Sequence, residues 1–327
     1  MSTNASPLVL VTGGTGYVAA HAIAQLLDAG YRVRTTVRSP KADLPDVEVV
    51  QADLSADDGW AAAHHGVQYV LHTASPFPPG SPKHDDDVIA PAVGGTLRVL
   101  AAARAAGVER VVLTSSFAAV GYGAIPQSRY TEDDWTDPGD PNTAYIRSKA
   151  IAERAAWDDV AAHGGPELSV INPVGIFGPP LNSRVNSSVG IVKAMLDGQM
   201  PFALPTRFGV VDVRDVADLH LRAMTSPAAA GRRYLAVSGE TISFLDLATM
   251  LRDHFGDAAA NVPTVELTEA EVRANPALRD ALTQLGRRPV ISADRARTEL
   301  GWQPRPVRTT IVETAEALLK AHNEAWT

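Results

Sequence analysis

The amino-acid sequence predicts an α/β fold, in which a doubly wound parallel sheet is joined to a smaller, mostly helical lobe. In the first half of the 327-residue chain, short β-branched runs alternate with longer segments of helical periodicity. Apolar runs without polar alternation are typical of strands buried on both faces, and right-handed crossovers then place helices on both sides of the sheet. The rest of the chain lacks this alternation. Residues 174–207 are rich in Pro, Gly, Ser and Asn, and residues 241–327 are mostly helical.

The strands and helices follow from periodicity and from capping residues. The predicted strands are Leu8–Thr12, Tyr31–Val37, Val47–Gln51, Tyr69–Thr73, Arg110–Ser115, Leu168–Asn172 and, within the sheet or at its edge, Gly209–Val213 and Tyr234–Ser238. The predicted helices are Val18–Ala29, a short helix between the third and fourth strands, Val88–Ala106, Thr143–His163, Ser188–Asp197 and, after the caps Ser243 and Ser292, Phe244–Phe255 and Ala293–Leu300.

Composition excludes several classes of function. The 29 basic and 37 acidic residues give a net charge of −8, which disfavours a nucleic-acid partner. The absence of cysteine excludes disulfides, thiolate metal sites and cysteine nucleophiles, and it fits a reducing compartment. The sequence contains no run of 18 apolar residues, and Leu8–Val11 is too short for the core of a signal peptide, so none is expected. We therefore expect a cytoplasmic protein without a nucleic-acid or membrane partner, either a monomer or a homodimer.

A glycine-rich turn, GGTGYVA from Gly13 to Ala19, joins the first predicted strand to the first helix. Small residues at positions 13 and 16 permit a tight turn, and the helix N-terminus offers N–H groups and a partial positive charge to a pyrophosphate. Ala19 stands where many such loops have a third glycine. In this position the motif predicts a Rossmann-type dinucleotide site rather than an ordinary strand–helix turn.

The end of the second strand predicts which dinucleotide binds. NAD sites usually place Asp or Glu there, to accept from the ribose 2′-OH. This sequence has Arg38 and Lys41 instead, which suit a 2′-phosphate, although two solvated surface cations are the alternative. Asp53, after the third strand, is a candidate acceptor for the adenine amine, or else a cap for a helix beginning near Ser55. NADP(H) is therefore the expected cofactor.

Tyr145 and Lys149 are four residues apart, so they lie on one face of a predicted helix. Reduction of a carbonyl needs a hydride for carbon and a proton for oxygen. A phenol has a pKa near 10, which a neighbouring ammonium lowers, so it can donate that proton near neutral pH. Lys149 can also bind the nicotinamide ribose. The alternative is a surface Tyr–Lys pair, which the context of the glycine loop disfavours.

A further donor is predicted at the end of the fifth strand, the edge at which ligands bind in open α/β sheets. Ser116 points to the same side of the strand as Thr114, whereas Ser115 points to the opposite side. Ser116 is the preferred candidate, and Ser115 stays open.

Seven stretches of the chain resemble the extended short-chain dehydrogenase/reductases, most closely the dihydroflavonol 4-reductase and cinnamoyl-CoA reductase group with its aldehyde and ketone reductases. They are VTGGTGYVAAHAIAQLLDAGYRVRTTVRSP from Val11, QADL from Gln51, VLHTASPF from Val70, VVLTSSFAAV from Val111, YIRSKAIAERAAW from Tyr145, NPVGIFGP from Asn172 and FGVVDVRDVADLHLRAM from Phe208. The last hundred residues resemble the group only loosely. The resemblance implies reversible, NADPH-dependent reduction of an aldehyde or ketone to an alcohol.

The resemblance also implies residue roles. Ser116, Tyr145 and Lys149 would form the catalytic triad. The implied cofactor contacts are Gly13, Thr15, Gly16, Tyr17 and Val18 at the pyrophosphate, Arg38 and Lys41 at the 2′-phosphate, Asp53 and Leu54 at the adenine, Thr73, Ala74 and Ser75 at the ribose and pyrophosphate, Tyr145 and Lys149 themselves, and Pro173, Val174 and Ile176 along the nicotinamide. Many relatives have an Asn in the helix before the fifth strand. Residues 91–96 contain none, so no proton relay is expected there.

We assign residues 1–173 and 208–240 to a dinucleotide-binding domain, and residues 174–207 and 241–327 to a substrate-binding lobe. Asp212 and Asp215 are predicted to cap the following helix and to pair with Arg214. No metal site is predicted. Candidates for an apolar substrate pocket, each with core packing as the alternative, are Phe77, Pro78, Phe117, Tyr122, Met195 and Phe208.

Two other functions stay open. One is a nucleotide-sugar epimerase or dehydratase, or a 3β-hydroxysteroid dehydrogenase-type enzyme, on the same scaffold; epimerases keep NAD bound and do not need Arg38. The other is a nonenzymatic NADP-sensing module, which can dispense with the Tyr145–Lys149 pair. The sequence does not identify the substrate.

Overall fold

The computed structural model describes residues 6–39, 44, 46–76, 84–123, 127–182 and 186–324. Its strands are β1 Leu8–Val11, β2 Arg32–Val37, β3 Glu48–Gln51, β4 Tyr69–His72, β5 Arg110–Thr114, β6 Arg129–Tyr130, β7 Glu167–Pro173, β8 Gly175–Phe177, β9 Arg207–Phe208, β10 Val210–Asp212, β11 Arg232–Ala236, β12 Ile242–Ser243 and β13 Val290–Ile291. Its α-helices are α1 Tyr17–Asp28, α2 Trp60–His64, α3 Asp86–Ala105, α4 Ala144–His163, α5 Ser187–Leu196, α6 Val213–Thr225, α7 Phe244–Phe255, α8 Glu269–Ala274, α9 Asp294–Leu300 and α10 Val307–Glu324.

Seven strands form one parallel sheet in the order β11-β7-β5-β4-β1-β2-β3. The order reverses between β1 and β4, which is the point at which ligands bind in doubly wound folds. Successive side chains of β1 enter different cores: Val9 and Val11 pack with α1 and α6, whereas Leu8 and Leu10 pack with α2, α3 and α4. Burial on both faces explains the uninterrupted apolar strands, and the predicted fold class is confirmed.

A third apolar cluster lies beyond the carboxyl edge of the sheet. It packs α5, α7 and α10 together through Met195, Leu247, Leu251 and Ile311. Two small sheets border it, a parallel pair of β8 with β10 and an antiparallel pair of β9 with β12. The C-terminal region also contacts the main sheet, because the fully buried Trp302 belongs to the core on the side of α1 and α6.

Two of the predictions about strands and helix caps differ from the structure. The segment Gly209–Val213 was expected in the main sheet or at its edge, but only Val210–Asp212 is a strand, and it pairs with β8 in a separate sheet. That prediction is wrong because β11 occupies the sheet edge next to β7, and β10 pairs with β8 instead. The strand β10 ends at Asp212, which caps α6 and accepts from the Arg214 N–H at 2.9 Å. The Ser292 hydroxyl does accept from the N–H of Asp294, but the N-cap residue of α9 is Ala293.

The helix α3 is the one helix among the described residues that is long and apolar enough to cross a membrane by length and composition. In the structure it is a layer of the α/β fold that packs along α4. Val88, Val99 and Leu100 are buried, and Val99 and Leu100 belong to the core beneath it.

Candidate active site

The glycine-rich turn between β1 and α1 has the conformation that its sequence requires. Gly13 adopts a φ of +73°, and a Cβ atom on Gly14 would lie 2.2 Å from Thr35 Oγ1. Side chains are therefore excluded from both positions. Gly16 is the N-cap residue of α1 and supplies no side-chain acceptor, so the first N–H groups of the helix stay available to a ligand.

This turn borders a cavity of about 600 Å³, which we call the glycine-loop cavity. Every predicted cofactor residue that the structure describes lines it. They are Gly13, Thr15, Gly16, Tyr17, Val18, Arg38, Asp53, Leu54, Thr73, Ala74, Ser75, Tyr145, Lys149, Pro173, Val174 and Ile176. The ends of β1, β2, β3, β4, β5 and β7 meet here, as expected for the carboxyl edge of a parallel sheet. Lys41 lies outside the described residues.

Arg38 and Asp53 lie at one end of the glycine-loop cavity. Arg38 directly follows β2 and its side chain is exposed. Asp53 follows β3, and one carboxylate oxygen accepts from both the amide and the hydroxyl of Ser55, at 2.8 and 2.7 Å. These hydrogen bonds hold the pKa of Asp53 below its ordinary value. The alternative role of capping a helix from Ser55 is wrong, because α2 begins only at Trp60.

Tyr145 and Lys149 lie in the first turns of α4. Thr143 caps this helix by accepting from the Ile146 N–H at 3.4 Å. The Lys149 ammonium lies 5.8 Å from the centre of the Tyr145 ring and donates to Ser75 Oγ at 3.0 Å. Tyr145 is 39% exposed. The helix thus brings a phenol and an ammonium to the edge of the glycine-loop cavity.

The two candidate serines after β5 have different surroundings. The buried Ser115 donates from its hydroxyl to Glu153 Oε2 at 2.6 Å. Ser116 begins a short 3₁₀ turn, Phe117–Ala119, and its hydroxyl accepts from the Ala118 N–H at 3.1 Å. These hydrogen bonds favour Ser116 as the donor to a ligand, because its hydroxyl accepts one hydrogen bond and its proton stays available, whereas the Ser115 proton is used by Glu153.

A second cavity, of about 870 Å³, lies next to the first. We call it the aromatic cavity, because its lining includes Phe117, Tyr122, Tyr130 and Phe208. The ring of Phe117 packs edge-on against Tyr122 and Tyr130, with centroids 5.6 and 5.5 Å away. Of the predicted pocket residues, Phe117, Tyr122 and Phe208 line it. Phe77 and Pro78 lie outside the described residues, and Met195 is wholly buried in the core of α5 and α7.

The two cavities share one wall. Both are lined by Ser116, Tyr145, Pro173, Val174, Ser187 and Ser188. A molecule in the glycine-loop cavity and a molecule in the aromatic cavity would therefore meet beside the Tyr145 phenol and the Ser116 hydroxyl. Lys149 lines only the glycine-loop cavity.

A buried polar cluster that the sequence did not predict lies behind the shared wall. Glu153 is 1% exposed and accepts from Ser115, from Asn172 Nδ2 at 2.6 Å and from Arg233 Nε at 2.6 Å. Asn172 Nδ2 also donates to the Ser116 carbonyl oxygen at 3.1 Å. The cluster therefore ties α4 to the carboxyl ends of β5 and β7 and to the beginning of β11. Its signal in the sequence was a Glu one helical turn beyond Lys149, on the same face.

The other predicted polar roles have mixed outcomes. Asp212 caps α6 and pairs with Arg214, as predicted. Asp215 instead lies inside the first turn of α6 and pairs with Arg305, so its predicted capping role and its predicted pairing with Arg214 are both wrong. The Tyr17 hydroxyl donates to the Gly178 carbonyl oxygen at 2.7 Å, a contact that the glycine-loop motif did not predict. Among the residues that the structure describes, no group of three His, Cys, Asp or Glu could hold a metal ion.

The fold and the glycine loop define a dinucleotide-binding α/β protein. The chain belongs to the NAD dependent epimerase/dehydratase family, whose profile matches residues 9–236. It is 30% identical to cinnamoyl-CoA reductase CAD2 from Medicago truncatula, an alignment that covers 97% of each chain. This similarity includes the last hundred residues, which the sequence motifs matched only loosely.

Solved structures give the same result. The yeast methylglyoxal/isovaleraldehyde reductase Gre2, complexed with NADPH, superposes with a TM-score of 0.80 at 26% identity, over 97% of this chain and 99% of that one. Gre2 from Candida albicans, also in complex with NADPH, has a TM-score of 0.81 at 28% identity with the same coverage. The predicted resemblance to the extended short-chain dehydrogenase/reductases is therefore confirmed.

Proposed function

We propose that the protein catalyses the reversible, NADPH-dependent reduction of an aldehyde or ketone to an alcohol. One observation carries the proposal: Ser116 and Tyr145 lie on the wall shared by the two cavities, with Lys149 on the glycine-loop side. The related proteins support it, because the named relatives are reductases and two of the structural neighbours are complexed with NADPH.

The glycine-loop cavity has the features that a dinucleotide needs. The turn at Gly13 and Gly14 has no room for side chains, and the N-terminus of α1 can receive a pyrophosphate. We assign Arg38, with Lys41, to the 2′-phosphate and Asp53 and Leu54 to the adenine. Pro173, Val174 and Ile176 would then lie along the nicotinamide. When bound, the cofactor supplies the hydride that is transferred to the carbonyl carbon.

The protein supplies the proton. In the proposed mechanism the substrate carbonyl lies in the aromatic cavity, where its oxygen accepts from Ser116 Oγ and Tyr145 Oη. As carbon gains the hydride, the oxygen takes the phenolic proton and becomes the alcohol hydroxyl. The Lys149 ammonium, 5.8 Å from the centre of the phenol ring, stabilises the negative charge left on Tyr145. Ser116 polarises the carbonyl by hydrogen bonding where negative charge develops.

We also propose that residues 174–207 and 241–327 form the substrate lobe. The third apolar core supports this division, as does the origin of much of the aromatic-cavity lining in residues 174–207 and 282–291. A cytoplasmic location and a monomeric or homodimeric state complete the proposal. Both rest on the sequence argument alone.

The experiment is an NADPH-oxidation screen of the purified protein against aldehydes, aryl ketones, β-keto esters and dihydroflavonols. We expect turnover of at least one class with NADPH, and slower turnover with NADH. Tightly bound NAD in the purified protein, without turnover of any carbonyl, would instead support an epimerase or dehydratase of the same family.

A further inference from the structure

The charged residues described in the lining of the aromatic cavity are all arginines. Among the described residues that line it, Arg207, Arg287 and Arg288 carry charge, and the lining includes no Asp, Glu or Lys. This contrasts with the whole chain, in which acidic residues outnumber basic residues by 37 to 29. A cleft lined by one sign of charge raises the local concentration of ligands of the opposite sign.

Two of these arginines have no carboxylate partner among the described residues. Arg207 is neutralised by Asp246, at 3.3 Å. Arg287 is half-buried and donates to the Gly123 carbonyl oxygen at 3.2 Å, which leaves its charge uncompensated. Arg288 is exposed, and no hydrogen bond or ion pair to a described residue accounts for its charge. The cavity is therefore lined by two adjacent arginines whose guanidinium groups have unused donors.

The cavity also offers an apolar surface. Phe117, Tyr122 and Tyr130 form a packed aromatic group in the same lining as Tyr145. The volume of about 870 Å³ lies within the range of small-molecule sites, roughly 300–1,000 Å³. An aromatic group and a cationic group in one cavity favour a ligand with an apolar body and an anionic end.

We propose that the substrate is a carbonyl compound with an apolar body and an oxyanion group, a carboxylate or a phosphate, that Arg287 and Arg288 bind. The inference rests on the proposed function, because it assumes that the carbonyl group lies at Tyr145. Guanidinium groups suit either oxyanion, since their planar forks match two oxygens at once. The arginines are specificity-determining residues in this proposal and take no part in hydride or proton transfer.

The test measures ligand binding separately from turnover. Calorimetry with the full chain and NADP⁺ compares para-carboxybenzyl alcohol, its para-phosphonomethyl analogue, a longer para-carboxypropyl analogue and the neutral para-methylbenzyl alcohol. At low salt we expect at least one anionic alcohol to bind about tenfold more tightly than the neutral one. The ranking of carboxylate against phosphonate identifies the type of oxyanion. Raised salt should reduce the preference.

Variants assign the preference to the arginines. Arg288→Gln should weaken binding of the anionic alcohol about fivefold, and adding Arg287→Gln should weaken it about twentyfold, with binding of the neutral alcohol unchanged. Arg308→Gln is the matched control, because Arg308 is exposed on α10 and lines neither cavity. Equal losses for anionic and neutral ligands, or an equal loss in the control, would overturn the proposal.

Parallel turnover assays separate this inference from the proposed function. Reduction of neutral benzaldehydes without any preference for an anionic ligand overturns the inference alone. An arginine-dependent preference for the anionic alcohol, with no reduction of any aldehyde, retains the oxyanion site and rejects the reductase activity.

Discussion

The two cavities of this protein are built in different ways. The glycine-loop cavity is lined by residues that follow β1, β2, β3, β4, β5 and β7, and these positions converge because parallel strands end at one edge. The aromatic cavity is assembled from segments near residues 116–146, 173–188, 207–209 and 282–291, which are joined by packing rather than by one sheet. A cofactor site made by strand ends follows from the sequence, whereas a substrate site made by packed segments needs the structure.

The sequence predicted the fold class and the described glycine-loop residues because strand ends, a glycine turn and an i,i+4 pair are local patterns. It could not place Arg207, Arg287 and Arg288 in one cavity, since 80 positions separate the first from the second along the chain. It favoured Ser116 but left Ser115 open, because that choice depends on Glu153, a buried partner from another element. The short strands β6, β8, β9, β12 and β13, of two or three residues each, are below the length at which periodicity is measurable.

The largest expected effect is at the wall that joins the cavities. Tyr145→Phe removes the proton donor and keeps the ring, so kcat should fall about a thousandfold while the dissociation constant for NADPH changes little. Steady-state kinetics and fluorescence titration measure the two quantities. Tyr69→Phe, which removes a phenol outside both cavities, is the control. A kcat within tenfold of the wild type would remove Tyr145 from the chemistry.

The buried cluster behind the shared wall should dominate stability. Glu153→Gln leaves Arg233 buried without its carboxylate, so the free energy of unfolding should fall by about 3 kcal/mol. Glu167→Gln breaks the ion pair with Arg110, in which the Glu167 side chain is 55% exposed, and should cost less than about 1 kcal/mol. Denaturant unfolding compares the two variants. Equal losses would show that burial of the carboxylate does not set the strength of these pairs, since the arginine side chain is 8% exposed in both.

The two serines after β5 are expected to differ in the same way, one affecting catalysis and the other stability. Ser116→Ala should lower kcat/KM about a hundredfold with little loss of stability, because this hydroxyl lines both cavities. Ser115→Ala should lower stability by about 1 kcal/mol and change kcat/KM far less, since this hydroxyl bonds Glu153. Kinetics and unfolding of both variants provide the measurement. The reverse pattern would exchange their assigned roles.

A smaller effect is expected at the far end of the glycine-loop cavity. Arg38→Asp replaces the cation assigned to the 2′-phosphate by an acceptor for a ribose hydroxyl, so the ratio of kcat/KM for NADPH to that for NADH should fall at least about tenfold. Arg308→Gln, on the surface of α10, should leave the ratio unchanged. An unaltered ratio in Arg38→Asp would reject the role of Arg38.

The central claim is that cofactor and substrate meet at the shared wall, and a crystal structure of the complex with NADP⁺ tests it directly. We expect the pyrophosphate at the N-terminus of α1, and the nicotinamide ring beside Val174 and within reach of Tyr145, with the Lys149 ammonium at its ribose. A ring bound away from this wall, or side chains of Tyr145 and Lys149 turned from the ring, would contradict the account.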